Sequence, residues 1–297
     1  MQKIIPHLWF NKEAKEAAEF YASVFPEGKV TSVTTIRDTP SGDCDIVTFE
    51  LSGYKFMGIS AGPHFKLNPS ISFMLNFDPS KDAEAETRLN ELWEKLSEGG
   101  KELMSLQEYP FSKRYGWIQD KYGVTWQLIL TNPEGEERPF IIPSLMFTKD
   151  KAGRAEEAID FYVSVFKDAK KGMIAHYPAG SDEKGTLMFG DFMLEGQWFA
   201  AMDSAGPHDF TFSEAISLLI SCETQEEIDH YWEKLSAVPE SEQCGWLKDK
   251  FGVSWQDNYA GMGELMSSDE TRDRVTQAFL KMKKFDVAAL EAAAKGE

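Results

Sequence analysis

The chain repeats itself, and that duplication constrains its fold more than any other feature. Phe20-Tyr21-Ala22-Ser23-Val24-Phe25 recurs as Phe161-Tyr162-Val163-Ser164-Val165-Phe166, and Ser60-Ala61-Gly62-Pro63-His64 recurs unchanged as Ser204-Ala205-Gly206-Pro207-His208. Trp93-Glu94-Lys95-Leu96-Ser97 returns as Trp232-Glu233-Lys234-Leu235-Ser236, and the segment from Gly116 to Gln127 matches the one from Gly245 to Gln256 at eight of twelve positions. Four blocks in one order mean one architecture built twice. The offsets are 141, 144, 139 and 129 residues, so the second copy loses ten between its last two blocks. That loss is expected to reshape one rim. The length of 297 residues agrees with two domains, since domains cluster at roughly 100 to 150 residues each. Asn132-Pro133-Glu134-Gly135-Glu136-Glu137-Arg138-Pro139 has linker chemistry, so the domains are placed at 1–131 and 140–260, joined by linker 132–139 and followed by a helical tail, 261–297.

Within each copy the apolar period switches between strand and helix. Ile4 to Phe10 reads as a strand. A helix follows with Ala14, Ala17, Ala18, Tyr21 and Phe25 inward, matched in the second copy by Ala155, Ala158, Ile159, Tyr162 and Phe166. Both sets follow the steps of a single helical face. Strands near Val30–Ile36, Asp45–Leu51 and Tyr54–Ser60 come next, the last two joined by the hairpin signal Ser52-Gly53. The order then begins again, with a strand at Ile71–Phe77 and a helix carrying Leu89, Leu92, Trp93 and Leu96 inward, twinned by Ile228, Tyr231, Trp232 and Leu235. Three further strands close the unit, so each copy reads βαβββ twice. The fold class is α+β, with each sheet curled and helices on its outer face. Asp120-Lys121-Tyr122-Gly123 and Asp249-Lys250-Phe251-Gly252 read as hairpin turns.

Composition narrows the function. Asp and Glu exceed Lys and Arg by 49 to 31, and the resulting charge of −18 repels phosphate backbones and anionic lipid surfaces. No apolar run approaches the ~20 residues of a membrane span, and the N-terminal segment is charged where a signal peptide is apolar. A cytoplasmic protein without nucleic-acid or membrane partners is expected. Cys44, Cys222 and Cys244 have no paired spacing and read as free thiols of a reducing compartment.

The segments PHLWFNKEAKEAAEFYASVF, SAGPH, WEKLSEGG and GWIQDKYGVTWQL resemble the vicinal oxygen chelate superfamily, the fold of glyoxalase I and bleomycin-resistance proteins. More narrowly they are similar to its PhnB-like subgroup, often labelled 3-demethylubiquinone 3-methyltransferase-like. The resemblance spans both copies, and the tail from Met282 to Leu290 is similar to the subgroup's usual ending. It implies paired βαβββ modules cupped around a small-molecule cavity, which in many members holds a divalent metal. The resemblance puts the metal-ligand positions at Ile5 (His7 two residues on, same face), Ser72, Gln127 and near Ser60 in the first copy. In the second they fall on Ile142 (with Ser144), Ser217, Gln256 and near Asp203. Ser and Gln are poor substitutes for imidazole and carboxylate, so no metal and no other cofactor is expected, although His64 and His208 in the repeated turns are also possible donors.

The same positions define what the cavity offers: His7, Trp9, Ser60, Ser72 and Gln127 in one copy, and Ser144, Met146, Asp203, Ser217 and Gln256 in the other. These are hydrogen-bonding groups beside apolar surface, as a small-molecule pocket requires. His7 is the sole ordinary general base among them, so it is the candidate catalytic residue for proton transfer or isomerisation. The rival reading is a non-catalytic, ligand-sequestering protein of bleomycin-resistance type. A third makes one copy purely structural, with the shortened second copy as the candidate. Methyl transfer is disfavoured, because no Gly-rich loop follows any strand and the module order is not that of a doubly wound sheet. Fusion can replace dimerisation, so a monomer with a pseudo-twofold domain pair and a homodimer both fit.

Overall fold

A computed structural model describes residues 2–131, 136–180 and 186–297, so the first half of the expected linker, 132–135, lies outside the described residues. The first module is β1 (Ile4–Phe10), α1 (Ala14–Val24), β2 (Lys29–Thr39), β3 (Gly42–Leu51) and β4 (Tyr54–Ser60). The second is β5 (Ile71–Phe77), α2 (Ala85–Ser97), β6 (Lys101–Tyr109), β7 (Ser112–Gln119) and β8 (Thr125–Leu130). The second copy begins with β9 (Ile141–Phe147), α3 (Ala155–Val165), β10 (Lys170–His176), β11 (Leu187–Leu194) and β12 (Gln197–Asp203). It ends with β13 (Ile216–Cys222), α4 (Gln225–Leu235), β14 (Trp246–Lys248) and β15 (Ser254–Tyr259). The tail carries α5 (Met262–Leu265), α6 (Asp269–Phe279) and α7 (Val287–Lys295). Among the described residues the last module is therefore βαββ, a correction to the expected four βαβββ units. The ten missing residues remove the counterpart of β6.

The helices form where the duplicated stripes place them. Ala14, Ala17, Ala18 and Tyr21 are fully buried, as are Ala155, Ala158, Ile159 and Tyr162, while Trp232 is only partly covered. Ser52 and Gly53 both take positive φ, the geometry of the tight turn that matches strand twist.

One contiguous core runs through both copies, with matching aromatic contacts between the two modules of each. In the first, Phe56 meets Phe73 edge-on at 4.9 Å while Tyr21 and Phe25 pack on Trp126 at 5.4 and 4.9 Å. In the second, Tyr162 and Phe166 pack on Trp255 at 5.5 and 5.3 Å. The sheets are shared between copies. One has seven strands in the order β14-β15-β13-β1-β4-β3-β2, the other eight in the order β10-β11-β12-β9-β5-β8-β7-β6. Two antiparallel pairings join the copies: β1 with β13, His7 opposite Ser217, and β5 with β9, Ser72 opposite Ser144. Each concave face thus takes one module from each copy.

Candidate functional site

Strand alternation decides which residues reach each concave face. In β1, Ile4, Leu8 and Phe10 join the helix-covered core, so Ile5, His7 and Trp9 turn to the hollow side. In β13 and β15 the same rule sends Ser217 and Gln256 inward while Trp255 goes to the core. The first concave face is centred on His7, which is buried at 4% exposure and sits edge-on to Trp246 with ring centroids 5.7 Å apart. Trp246 also meets Trp9 at 6.2 Å, and Phe65 closes on Trp9 at 4.9 Å. Gln256 Nε2 donates to Ser217 Oγ at 2.8 Å. His7 Nδ1 is buried with no hydrogen-bond partner. Burial, which penalises the charged ring, lowers the His7 pKa from 6.5 to about 4, so at neutral pH the imidazole is uncharged.

The pseudo-twofold axis carries His7 to Ser144, Ser217 to Ser72, Gln256 to Gln127 and Trp246 to Trp117. On this second face Gln127 Nε2 donates to Ser72 Oγ at 2.6 Å, and Tyr115 donates its hydroxyl to Gln127 Oε1 at 2.9 Å. Tyr115, Trp117 and Met146 form a buried cluster on which Tyr109, Met202 and Phe210 lean. Ser144 Oγ and Trp117 Nε1 are buried without partners. Aromatic and thioether side chains fill this face, whereas the His7 face sets its imidazole against the edge of Trp246.

The two expected cavity sets are thereby regrouped. His7 and Trp9 stand with Ser217 and Gln256, and Ser72 and Gln127 stand with Ser144 and Met146, because the strand beside β1 is β13 and the strand beside β5 is β9. Ser60 and Asp203 turn the other way. Ser60 Oγ accepts the Ala14 N–H at 3.1 Å at the start of α1. Asp203 Oδ1 accepts from Gly153 and Ala155 at 2.8 and 3.1 Å at the start of α3, and its Oδ2 accepts the Leu187 N–H at 3.0 Å. Both cap helix N-termini, where orphan N–H groups need acceptors. They share the strand parity of Phe56 and Phe199, a signal that the sequence already carried. His64 stands at the rim of the first face, 6.4 Å from Trp9, and His208 Nε2 lies 2.7 Å from Ser204 Oγ.

The sequence reading of the Asp-Lys-aromatic-Gly turns as plain hairpins missed their acidic residue. Asp120 Oδ2 accepts from Tyr21 Oη and Trp126 Nε1, each at 2.8 Å, while Oδ1 accepts the Tyr122 and Val124 N–H groups at 2.9 and 3.1 Å. Asp249 repeats this with Tyr162, Trp255, Phe251 and Val253. Joint repetition of Tyr, Asp and Trp in both copies was the available clue.

The donor sets do not fit a divalent cation. The first face offers one imidazole, a hydroxyl already accepting a hydrogen bond and a neutral amide; the second offers two hydroxyls and an amide. Borderline cations require imidazole, thiolate or carboxylate donors together. Among the described residues no three His, Cys, Asp or Glu side chains converge. Two open depressions, of about 390 and 410 Å³, lie away from His7; the first is rimmed by Lys66, Lys101 and Lys121 and the second reaches Tyr54 and Trp198.

The sequence model of the family described as 3-demethylubiquinone-9 3-methyltransferase matches residues 2–129 and again 139–257. This chain belongs to that family. It is similar to a putative 3-demethylubiquinone-9 3-methyltransferase, PhnB protein, from Bacillus cereus, with 34% identity over 44% of this chain and 100% of that one, at a TM-score of 0.39. Glyoxalase I from Zea mays shares 13% identity and covers 90% of this chain and 95% of its own, with a TM-score of 0.52. A putative dioxygenase from Bacillus subtilis shares 11% identity over 95% of this chain and 91% of its own, at 0.50. No curated protein matches the chain. The likeness to the last two structures shows the vicinal oxygen chelate fold, here as tandem copies of the PhnB-like family. Among the described residues no helix is long and apolar enough to cross a membrane.

Proposed function

We propose that this PhnB-like protein binds an uncharged, partly aromatic small molecule on its His7 face and holds it without chemistry. The observation that carries this reading is the unpartnered His7 Nδ1, buried edge-on to Trp246, which in turn meets Trp9. A buried polar atom without a partner costs roughly 1–3 kcal/mol, which a ligand hydrogen bond recovers. The surrounding rings supply stacking surface, and Ser217 and Gln256 supply a second polar contact. No charged side chain is among these groups, and the overall charge of −18 disfavours anions, so the ligand class is uncharged.

Proton transfer by His7 is the second reading, supported by the same free ring nitrogen. It is weaker, because a base with a pKa of about 4 is poorly matched to proton abstraction at neutral pH. Methyl transfer draws no support from these residues, whatever the family's description, since the βαβββ order lacks the strand, Gly-rich loop and helix of a doubly wound nucleotide site. The test is a thermal-shift screen of uncharged aromatic metabolites against wild type and His7→Ala. A true ligand at 100-fold excess over its Kd adds about 2.7 kcal/mol of stability, and the variant is expected to bind it at least tenfold more weakly. Equal stabilisation of both proteins removes His7 from the site; turnover lost in the variant with binding retained replaces this reading with the enzymatic one.

A further inference from the structure

The tail stands where the fold lost a strand. In the first copy β6 covers the edge of β7, pairing Met104 with Trp117 and Gln107 with Tyr115. In the second copy the equivalent edge begins with Cys244 and Gly245, both at positive φ, and their N–H groups donate instead to Met282 O and Lys283 O at 2.9 and 2.7 Å. The chain from Ala260 to Met282 then reaches the opposite edge of the seven-stranded sheet. There Met266 and Phe279 lie on the concave-face cluster of Ile36, Cys44 and Ala61 that includes Trp9. The tail thus takes the lost strand's edge with backbone between α6 and α7, and adds α6 as a wall over Trp9 at the other edge.

Its two sides are held differently. On the near side Ala260 N–H donates to Cys222 O at 2.7 Å, and the Gln225 side chain grips Phe285 O and Val287 N–H at 3.0 and 2.8 Å. Phe285 and Leu290 are buried there, and Arg274 ties α6 to α7 through Ala293 O and Ala294 O. The inner face of α6 buries Val275 and Thr276. On the far side, at β2, the contacts are half-buried Met266 and Phe279 and two ion pairs from Arg37 to Asp269 and Asp273. Each pair is 4.0 Å long, and all three side chains are at least half exposed. Exposed pairs of that length hold weakly and are screened by salt.

We propose that α6 is a lifting wall: it stays fixed at Ala260 and Met282, comes away from β2, and so uncovers Trp9 and the His7 face from one side. Its role as a gate rests on the ligand-binding reading above. The opening itself does not.

Amide hydrogen exchange on the full chain tests the opening, and stopped-flow binding of Nile red, an uncharged aromatic dye, tests the gate. Arg37→Glu sets three like charges together, so exchange across 269–279 is expected to quicken about three- to tenfold while β1 and β13 are unchanged. Adding Asp273→Lys to that variant, which leaves the Asp269–Arg272 pair intact, is expected to return the rate towards wild type. Dye association should speed up by the same factor in Arg37→Glu and return with the charge swap. Unchanged exchange at 269–279 overturns the lifting wall. Faster exchange with dye association unaltered overturns it as a gate. Faster exchange with no dye bound to any variant supports the wall and removes the ligand-binding reading instead.

Discussion

His7 shows how burial sets a residue's chemistry. A histidine whose folded pKa is lowered from 6.5 to about 4 binds fewer protons folded than unfolded across that window. Stability therefore rises with pH there: the contribution is fully present above pH ~6.5 and is lost as pH falls towards 4, about 3 kcal/mol in all. Asp257 acts with the opposite sign. Its two carboxyl oxygens are buried without partners in the position that Leu128 takes in the first copy, and burial pushes its pKa well up. A carboxyl held protonated in the fold stabilises least once the unfolded chain ionises, so its contribution declines as pH rises above the ordinary carboxylate range. The difference between wild type and His7→Gln isolates the histidine. Urea unfolding at pH 7.5 and 4.5 should show wild type losing roughly 2.5 kcal/mol more than the variant. Parallel losses would mean that His7 titrates as a solvent-exposed ring does.

At the scale of elements, the Asp-centred turns tie the first helix of each copy to the last strand of its second module. Tyr162 lies on α3 in the first module of its copy, and Trp255 lies on β15 in the second module, so Asp249 ties two modules together through one carboxylate. Asp249→Ala leaves a phenol, an indole N–H and two backbone N–H groups buried without acceptors, which should cost roughly 3–5 kcal/mol. Asp249→Asn, which keeps one acceptor oxygen, should cost less. Thermal denaturation checks both, and a loss below about 1 kcal/mol for the alanine variant would show that water takes over the bonds. The helices were legible because Ala14, Ala17, Ala18 and Tyr21 repeat as Ala155, Ala158, Ile159 and Tyr162, and two copies of one stripe leave no second period to fit. Ser60 and Asp203 are polar near a strand end, but they share the parity of the core residues Phe56 and Phe199, and parity decides that they cap helices instead of entering the hollow. The ten-residue loss was visible in the sequence as a reshaped rim, but not as a missing strand. Nor was it visible that Met282 and Lys283 would take that strand's edge while α6 lies on β2, because the sequence does not say which edge an amphipathic tail will cover.

For the molecule as a whole, alternation specifies which face of β1 is buried but says nothing of the strand beside it. Pairing of β1 with β13 and of β5 with β9 is a tertiary choice, and it makes each concave face a joint product of both copies. The two copies behave as two subunits about a twofold axis, since β13 is the second copy's β5 and β9 its β1. A fragment of residues 1–131 would expose β1 and β5 as bare edges, with buried residues such as Ile4, Leu8, Phe73 and Leu75 on them. Those two edges are complementary to each other in another copy of the same fragment. The fragment should therefore form a symmetric dimer in which β1 of each chain pairs with β5 of the other and His7 faces Ser72. Sedimentation equilibrium should return twice the fragment mass, dissociating on dilution together with loss of β-sheet circular dichroism. A folded, monodisperse monomer at all concentrations would mean that the two modules of one copy can close a sheet between themselves, and that fusion was not needed to complete the concave faces.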